Sequence, residues 1–282
     1  MTVALAMNHA AKLMAEAGLS DAPWQSKVLA AHLLGKKPSQ MILTGEFSFL
    51  PGIEELFFAL VKRRINGEPL QHITGNWDFF GRTFLVSPKA LIPRPETELL
   101  VEKLLRFHLP PEPLILDAGT GTGVIGITLA LEIPDSTVIA TDISHEAAIL
   151  AAKNARLLKA ENYHPVIGNL AYALNCSFDL IAANLPYIPT GDIACLPSVV
   201  KDYDPLLALN GGENGISLIL ELVRDARRLL KPGGLFALET GNDQESSVSS
   251  LFSVEYWTDL EAHKDLAGNH RFVVAVRRNH GI

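Results

Sequence analysis

An α/β fold with a mostly parallel sheet, preceded by a small all-helical domain, is what this sequence predicts. Three observations carry the prediction. Beyond Pro113, short apolar runs alternate with amphipathic helical segments, and parallel strands need crossover connections of that kind. A glycine-rich stretch, Gly119 to Gly123, stands between one such apolar run and the next helical segment. The residues before Gly75, in contrast, show helical spacing with clear punctuation and little strand texture.

Taken in order, Met1 to Gly18 is an alanine-rich amphipathic stretch. It lacks the basic start and continuous apolar core of a signal peptide. Asp21 is placed to N-cap a second helix opened by Ala22–Pro23, and Gly35 follows Leu34 where a C-terminal cap would sit. Ile53, Leu56, Phe57, Leu60 and Val61 recur at helical spacing and predict one packed stripe. Lys62, Arg63 and Arg64 then favour that helix's C-terminus as a solvated cationic face. From Trp77 the texture changes: Phe79, Phe80, Phe84, Leu85 and Val86, broken by Gly81, predict a β-hairpin. Pro88, Pro93 and Pro95 punctuate a linker, and Pro95 opens a helix with Glu96 and Glu98 in its first turn. Leu99, Leu100, Leu104 and Phe107 would form its apolar face. The expected division is a helical domain over 1–75, a hairpin linker over 76–92 and a catalytic domain over 93–282.

Within the last part, the strand candidates are 114–116, 138–140, 165–167, 178–183 and 235–238, and the helices 124–132, 145–159 and 216–230. Val254–Trp257 and Phe272–Val276 could pair as a final antiparallel hairpin. The 282 residues carry a net charge of −7, which opposes a protein held to nucleic acid mainly through phosphates. Two cysteines, Cys176 and Cys195, are too few for a disulfide scaffold and have no metal-ligand spacing. They read as small hydrophobes or inert thiols. His72 and His270 lack clustered partners, so no metal site is expected. The absence of a long apolar run argues against a membrane span, and a cytoplasmic protein is expected.

The first candidate site is Asp117-Ala118-Gly119-Thr120-Gly121-Thr122-Gly123. Glycines at a strand-to-helix turn let a ligand approach the backbone, and N–H groups at the helix start can bind a polar or acidic group. Residues 121–126 also satisfy the pattern G-x-G-x-x-G. Asp142 ends the next strand, 19 residues after Gly123, where a carboxylate can accept from ribose hydroxyls. This much implies a nucleoside cofactor and leaves nicotinamide and S-adenosylmethionine both open.

The second candidate separates them. Asn184-Leu185-Pro186-Tyr187 follows the apolar run 178–183, at the strand end where open α/β sheets bind ligands. An amide nitrogen is a poor nucleophile because its lone pair is delocalised, so its methylation depends on orientation. Two acceptors can supply that: the Asn184 side-chain oxygen and the Leu185 backbone carbonyl, each taking one N–H. Tyr187 could stack on the planar group and face the sulfonium with its ring. Glu239 also ends a strand here, either to contact substrate or as a solvated carboxylate.

With these residues, and with Glu68 to Gly75, Phe79 to Gly81, Ile92 to Glu98, Pro205 to Leu209, Gly211 to Gly215, Leu230 to Gly234 and Asp265 to Arg271, the chain resembles the protein-(glutamine-N5) methyltransferases of peptide-chain release factors. The resemblance implies a helical N-terminal domain that helps recognise the release factor. It also implies a hairpin and a seven-stranded, Rossmann-like class I methyltransferase domain using S-adenosylmethionine. It places Gly119, Thr120, Gly121, Thr122 and Gly123 at the cofactor's amino-acid end, Asp142 at its ribose, and Asn169 and Leu170 near its adenine. Asn184, next to the cofactor, would orient the substrate glutamine, with Leu185, Pro186 and Tyr187 shaping the slot and Phe79 lining it. The Arg94 to Glu98 segment would lie over the cofactor. The implied substrate is the glutamine of the Gly-Gly-Gln loop of class I release factors, methylated by a monomer without direct nucleic-acid contact.

Two departures stand out. Leu185 replaces the first proline of the usual Asn-Pro-Pro-Tyr, losing a fixed φ while keeping the carbonyl. Asn-Leu-Pro-Tyr also occurs in ribosomal RNA adenine dimethyltransferases, which makes methylation of an exocyclic amine in RNA or DNA the alternative. A release-factor-binding module without turnover is a third reading. Asn169 stands where aspartate is usual, and keeps an acceptor oxygen.

Overall fold

The computed structural model describes residues 1–44 and 47–279. The chain divides into two compact units, the first Met1–Asn76 and the second beginning at Trp77.

The first unit is helical: α1 (Val3–Glu16), α2 (Ala22–Leu33), a 3-10 turn (Pro38–Thr44), α3 (Ile53–Ile65) and α4 (Leu70–Thr74). Thr2 caps α1, its hydroxyl accepting from the Leu5 N–H. Asp21 does not cap α2 as expected. It sits at φ 50°, left-handed, and makes no side-chain capping bond. Its backbone carbonyl instead accepts from Trp24 and Gln25. The stripe on α3 is also narrower than its spacing suggests. Phe57 and Val61 are buried, one turn apart, whereas Leu56 is 53 % exposed, because neighbouring residues on a helix do not share a face. Arg63 forks onto the Glu68 carboxylate and Arg64 donates to Gln25, so two of the three cations serve the unit's own structure.

A hairpin follows, β1 (Asn76–Phe79), of which all but the first residue belong to the second unit, and β2 (Arg82–Leu85), then α5 (Pro95–Leu104). There follow β3 (Leu114–Ala118), α6 (Val124–Glu132), β4 (Thr137–Asp142), α7 (His145–Leu158), β5 (Tyr163–Ile167) and β6 (Phe178–Ala183). After α8 (Ser198–Lys201) and α9 (Ser217–Leu229) come β7 (Leu230–Glu239), α10 (Glu245–Ser249), β8 (Trp257–Lys264) and β9 (His270–Arg277). Phe107 falls beyond the end of α5, and the first strand of the last hairpin starts at Trp257, three residues later than expected.

Seven strands form one sheet in the order β5-β4-β3-β6-β7-β9-β8, parallel except for β9, which is antiparallel to both neighbours. Every residue of β6 is buried, as a strand covered by helices on both faces must be. Apolar side chains fill both faces: Ile115, Leu180 and Ala237 on one, Leu116, Ile181, Phe236 and Leu238 on the other. Each fully buried large side chain contributes about 1.5–3 kcal/mol. The chain winds from β3 outward to β5, then returns to lay β6 on the other side of β3. That reversal opens a crevice at the carboxyl ends of β3 and β6.

Two polar side chains tie the hairpin to this frame. Asn154 of α7, fully buried, accepts from the Leu85 N–H at 2.7 Å and donates to the carbonyls of Leu85 and Thr122. Glu98 of α5 accepts from the Phe80 N–H at 2.9 Å. Among the described residues no helix is long and apolar enough to cross a membrane.

Candidate active site

The carboxyl ends of β3 to β7 converge on one region. After β3, Gly119 and Gly121 adopt positive φ of 73° and 57°, conformations that suit glycine. The loop is held by Asp142, at the end of β4: one carboxylate oxygen accepts from the Gly121 N–H at 2.8 Å, the other from the Ser144 N–H at 2.8 Å. Desolvation raises the Asp142 pKa, and these two bonds oppose the rise. Each oxygen has a further lone pair for a hydroxyl donor.

Beneath the loop, Asp117 is fully buried. Its Oδ2 accepts from the Thr120 hydroxyl and from the Gly126 N–H of α6, while its Oδ1 has no partner among the described residues. Burial pushes the carboxyl up to about 6 despite those bonds. The Tyr163 hydroxyl, 2.8 Å from Thr120 Oγ1, closes the cluster, and burial followed by the Asp117 charge raises its pKa.

Asn184 ends β6. Its Nδ2 donates to Thr97 Oγ1 at 3.2 Å, and Thr97 in turn donates to Glu239 Oε2 at 2.6 Å. The Asn184 Oδ1 and the Leu185 carbonyl receive no hydrogen bond from the described residues. Glu239 is no solvated carboxylate: only 2 % exposed, it is pushed up to about 7 by burial. Leu185 is buried, and a Cβ on Gly119 would lie 2.8 Å from its Cδ2. The leucine that stands in place of proline therefore fills the space that Gly119 leaves open.

A cavity of about 480 Å³ occupies the crevice, within the range of small-ligand sites. Of the expected residues, Gly119, Gly121, Asp142, Asn169, Leu170, Asn184, Leu185 and Pro186 line it. Thr120, Thr122 and Gly123 do not. Thr120 turns inward to Asp117, Thr122 is buried, and Gly123 packs within hypothetical Cβ distance of Ile127 and Tyr163. Tyr187 is absent from the lining; its carbonyl accepts from Gln244 Nε2 at 2.7 Å. Phe79 is also absent from the lining: it is 1 % exposed and packs edge-on against Phe84 in the core, because alternate residues of a hairpin strand face inward. Sequence reasoning gave no site role to the segments Pro88–Leu91 and Pro205–Ala208, which also line the cavity. No local sequence signal marks them: Leu206 and Leu207 read as ordinary core leucines, and only the fold leaves them 60 % and 55 % exposed.

Comparison with known proteins identifies the family. The family described as PrmC N-terminal domain matches residues 6–75, and one described as methyltransferase domain matches residues 113–269. A release factor glutamine methyltransferase of Nitratidesulfovibrio vulgaris is 37 % identical over 97 % of this chain and 94 % of its own. Those of Moorella thermoacetica and Mycobacterium tuberculosis are 36 % and 37 % identical, each over 99 % of this chain and over 99 % and 93 % of their own. The chain belongs to the release factor glutamine methyltransferase family.

Solved structures support the fold. A methyltransferase of Pyrococcus furiosus superposes with a TM-score of 0.54 at 20 % identity, over 71 % of this chain and 91 % of that one. A 16S rRNA N2 G1207 methyltransferase of T. thermophilus, in complex with AdoMet and guanosine, gives 0.51 at 20 %, over 72 % and 50 %. As a member of this methyltransferase family the protein is an S-adenosylmethionine-dependent enzyme. The residues present fit that cofactor: the backbone turn at Gly121, open to close approach, and the Asp142 carboxylate, with lone pairs to spare, both line the cavity. Among the described residues no group of His, Cys, Asp or Glu could hold a metal ion. Both cysteines are free and exposed, so neither acts as a small buried hydrophobe.

Proposed function

We propose that the protein methylates the side-chain amide nitrogen, N5, of the glutamine in the Gly-Gly-Gln motif of class I peptide-chain release factors. The observation that carries this reading is the pair of acceptors just past β6, Asn184 Oδ1 and the Leu185 carbonyl, which take no hydrogen bond from the described residues and belong to residues lining the cavity. A primary amide has two N–H donors, and two acceptors hold its plane and direct its nitrogen.

Gly119, Gly121 and Asp142 would hold S-adenosylmethionine, with Asn169 and Leu170 at its base. When bound, the cofactor supplies the methyl group. The protein's part is orientation: acceptors at Asn184 and Leu185 fix the amide, while Pro186 shapes its slot. The proton leaves after attack, when alkylation has made the nitrogen acidic, so no strong base has to act first. Effective concentration and alignment of this kind can supply several kcal/mol, up to about 7–11 kcal/mol in well-oriented systems. The same reading places the reaction in the cytoplasm, on a protein partner and by a monomer. The net charge of −7 supports a protein rather than a nucleic-acid substrate.

The test is mass spectrometry of a purified class I release factor incubated with the protein and S-adenosylmethionine. A one-methyl increment on the Gly-Gly-Gln peptide, absent with Asn184→Ala, is expected. An unmodified glutamine with the cofactor shown to bind would reject the reading.

A further inference from the structure

Asn184 can present an acceptor to the substrate only if its amide is turned the right way. The two ends of an asparagine side chain have nearly the same shape, and rotation about its last bond exchanges them at little cost. With the amide reversed, its NH₂ would face the NH₂ of the incoming amide, donor against donor. Something in the protein has to choose.

We infer that Thr97 and Glu239 are positioning residues that set the polarity of the Asn184 amide, and so the acceptor offered to the substrate. Thr97, near the start of α5, is 2 % exposed, and its hydroxyl lies between the two partners, 2.6 Å from Glu239 Oε2 and 3.2 Å from Asn184 Nδ2. A hydroxyl has one proton. In its ionised form Glu239 only accepts, so the Thr97 hydroxyl donates its one hydrogen to Glu239 Oε2. The oxygen of Thr97 is then left with lone pairs alone, and only the NH₂ end of Asn184 can face it. The oxygen end is thereby turned away from the pair.

The arrangement has no role in the hydrophobic frame, where a buried carboxylate is costly. Glu239 stands at the last residue of β7, Asn184 just past β6 and Thr97 on α5, and these elements meet beside the cavity that Asn184 lines. The inference rests on the proposed role of Asn184 in orienting the substrate amide.

The experiment compares Thr97→Val, Thr97→Ser and Asn184→Ala in the full chain, with the release factor as substrate. Its readouts are kcat, KM for the release factor, S-adenosylmethionine affinity by calorimetry and melting temperature. Thr97→Val should lower kcat by about ten-fold or more, the size of one lost hydrogen-bond preference, with cofactor affinity changed by less than about three-fold. Thr97→Ser, which keeps the hydroxyl, should restore kcat to within about three-fold of wild type. Wild-type kcat in Thr97→Val, or equal losses in the valine and serine variants, would overturn the inference. So would a parallel loss of cofactor affinity. Should Thr97→Val melt below the assay temperature, Thr97→Ala carries the same expectation, since it removes the hydroxyl without placing a second methyl beside Glu239. If Asn184→Ala itself turns over normally, the reading of Asn184 fails, and this inference with it. If Asn184→Ala is inactive while Thr97→Val is not, only the inference fails.

Discussion

Replacing Gly126 by alanine sets two effects of opposite sign against each other. Gly126 lies in α6, and a glycine in a helix interior is destabilising by about 1 kcal/mol relative to alanine, so propensity alone predicts a gain. Packing predicts the reverse. A Cβ at this position would lie 2.7 Å from Asp117 Oδ2, 2.7 Å from Tyr163 Cε2 and 3.0 Å from Asp117 Cβ. None of these neighbours can yield freely. Asp117 is fully buried and holds the Gly126 N–H and the Thr120 hydroxyl, while Tyr163 is wedged against the same hydroxyl. Overpacking of a core costs about 1–3 kcal/mol, and disturbing a charge-assisted hydrogen bond costs about 1.5–3 kcal/mol more. The losses outweigh the gain: the net destabilisation spans about 1.5–5 kcal/mol, and partial relaxation of the cluster puts the expected value toward the low end, at about 2 kcal/mol. In a unit of this size each kcal/mol moves Tm by about 2–4 °C, so Tm should fall by about 4–8 °C. Differential scanning calorimetry of the full chain reads this. Gly191→Ala is the control, because it has ordinary φ and nothing within 4 Å of its added Cβ. It should shift Tm by less than about 2 °C. A Tm for Gly126→Ala equal to or above wild type would refute the packing argument and show that the Asp117 cluster relaxes without cost.

Other perturbations probe the polar groups. Asp142→Ala removes the acceptor of the Gly121 N–H along with the carboxylate, and should weaken S-adenosylmethionine binding by about ten-fold or more. Unchanged affinity by calorimetry would remove Asp142 from the cofactor site. Burial raises the Glu239 carboxyl from 4.5 to about 7, reinforced by the charge of Glu96 and opposed by Arg271 and the Thr97 and Asn184 hydrogen bonds. The folded state therefore binds the proton more tightly than the unfolded chain. Stability from this group is present at low pH and falls as pH rises from 4.5 through 7, by about 3 kcal/mol at most. Urea denaturation at pH 5 and pH 8 should show that loss in wild type and a smaller one in Glu239→Gln; equal slopes would contradict it. Arg94→Ala takes the guanidinium, 2.7 Å away, from the buried Asp204 carboxylate. Because Arg94 is itself 35 % exposed, the cost should lie below that of a fully buried pair, at about 1–3 kcal/mol. An Arg94→Ala/Asp204→Asn double variant should recover part of it, and strict additivity would show that the two do not interact.

Much of the site was legible because its carriers are local. Gly119 and Gly121 mark a turn that only a few residue types can make, and Asp142 and Asn184 each follow an apolar run that ends in the same crevice. What was not legible depended on orientation. Asp21 has the composition of a helix cap but a left-handed backbone, so its side chain bonds nothing there. Phe79 belongs to a hairpin whose alternation sends it into the core, next to Phe84. Leu185 reads as a lost proline in one dimension and as the complement of Gly119 in three.

The sequence by itself determined the alternation of strands and helices, the parallel sheet they imply, the glycine turn and the strand-end asparagine. These follow from periodicity and from backbone conformations open to few residues, both of which act over a handful of positions. Only the tertiary structure decided which polar groups meet. Thr97 and Glu239 are 142 residues apart, and Arg94 and Asp204 are 110 apart. Nothing in the spacing of such residues marks them as partners. Sheet order and helix packing bring them together, and burial then makes each hydrogen bond a requirement, because a polar group withdrawn from water must find its partner inside the protein.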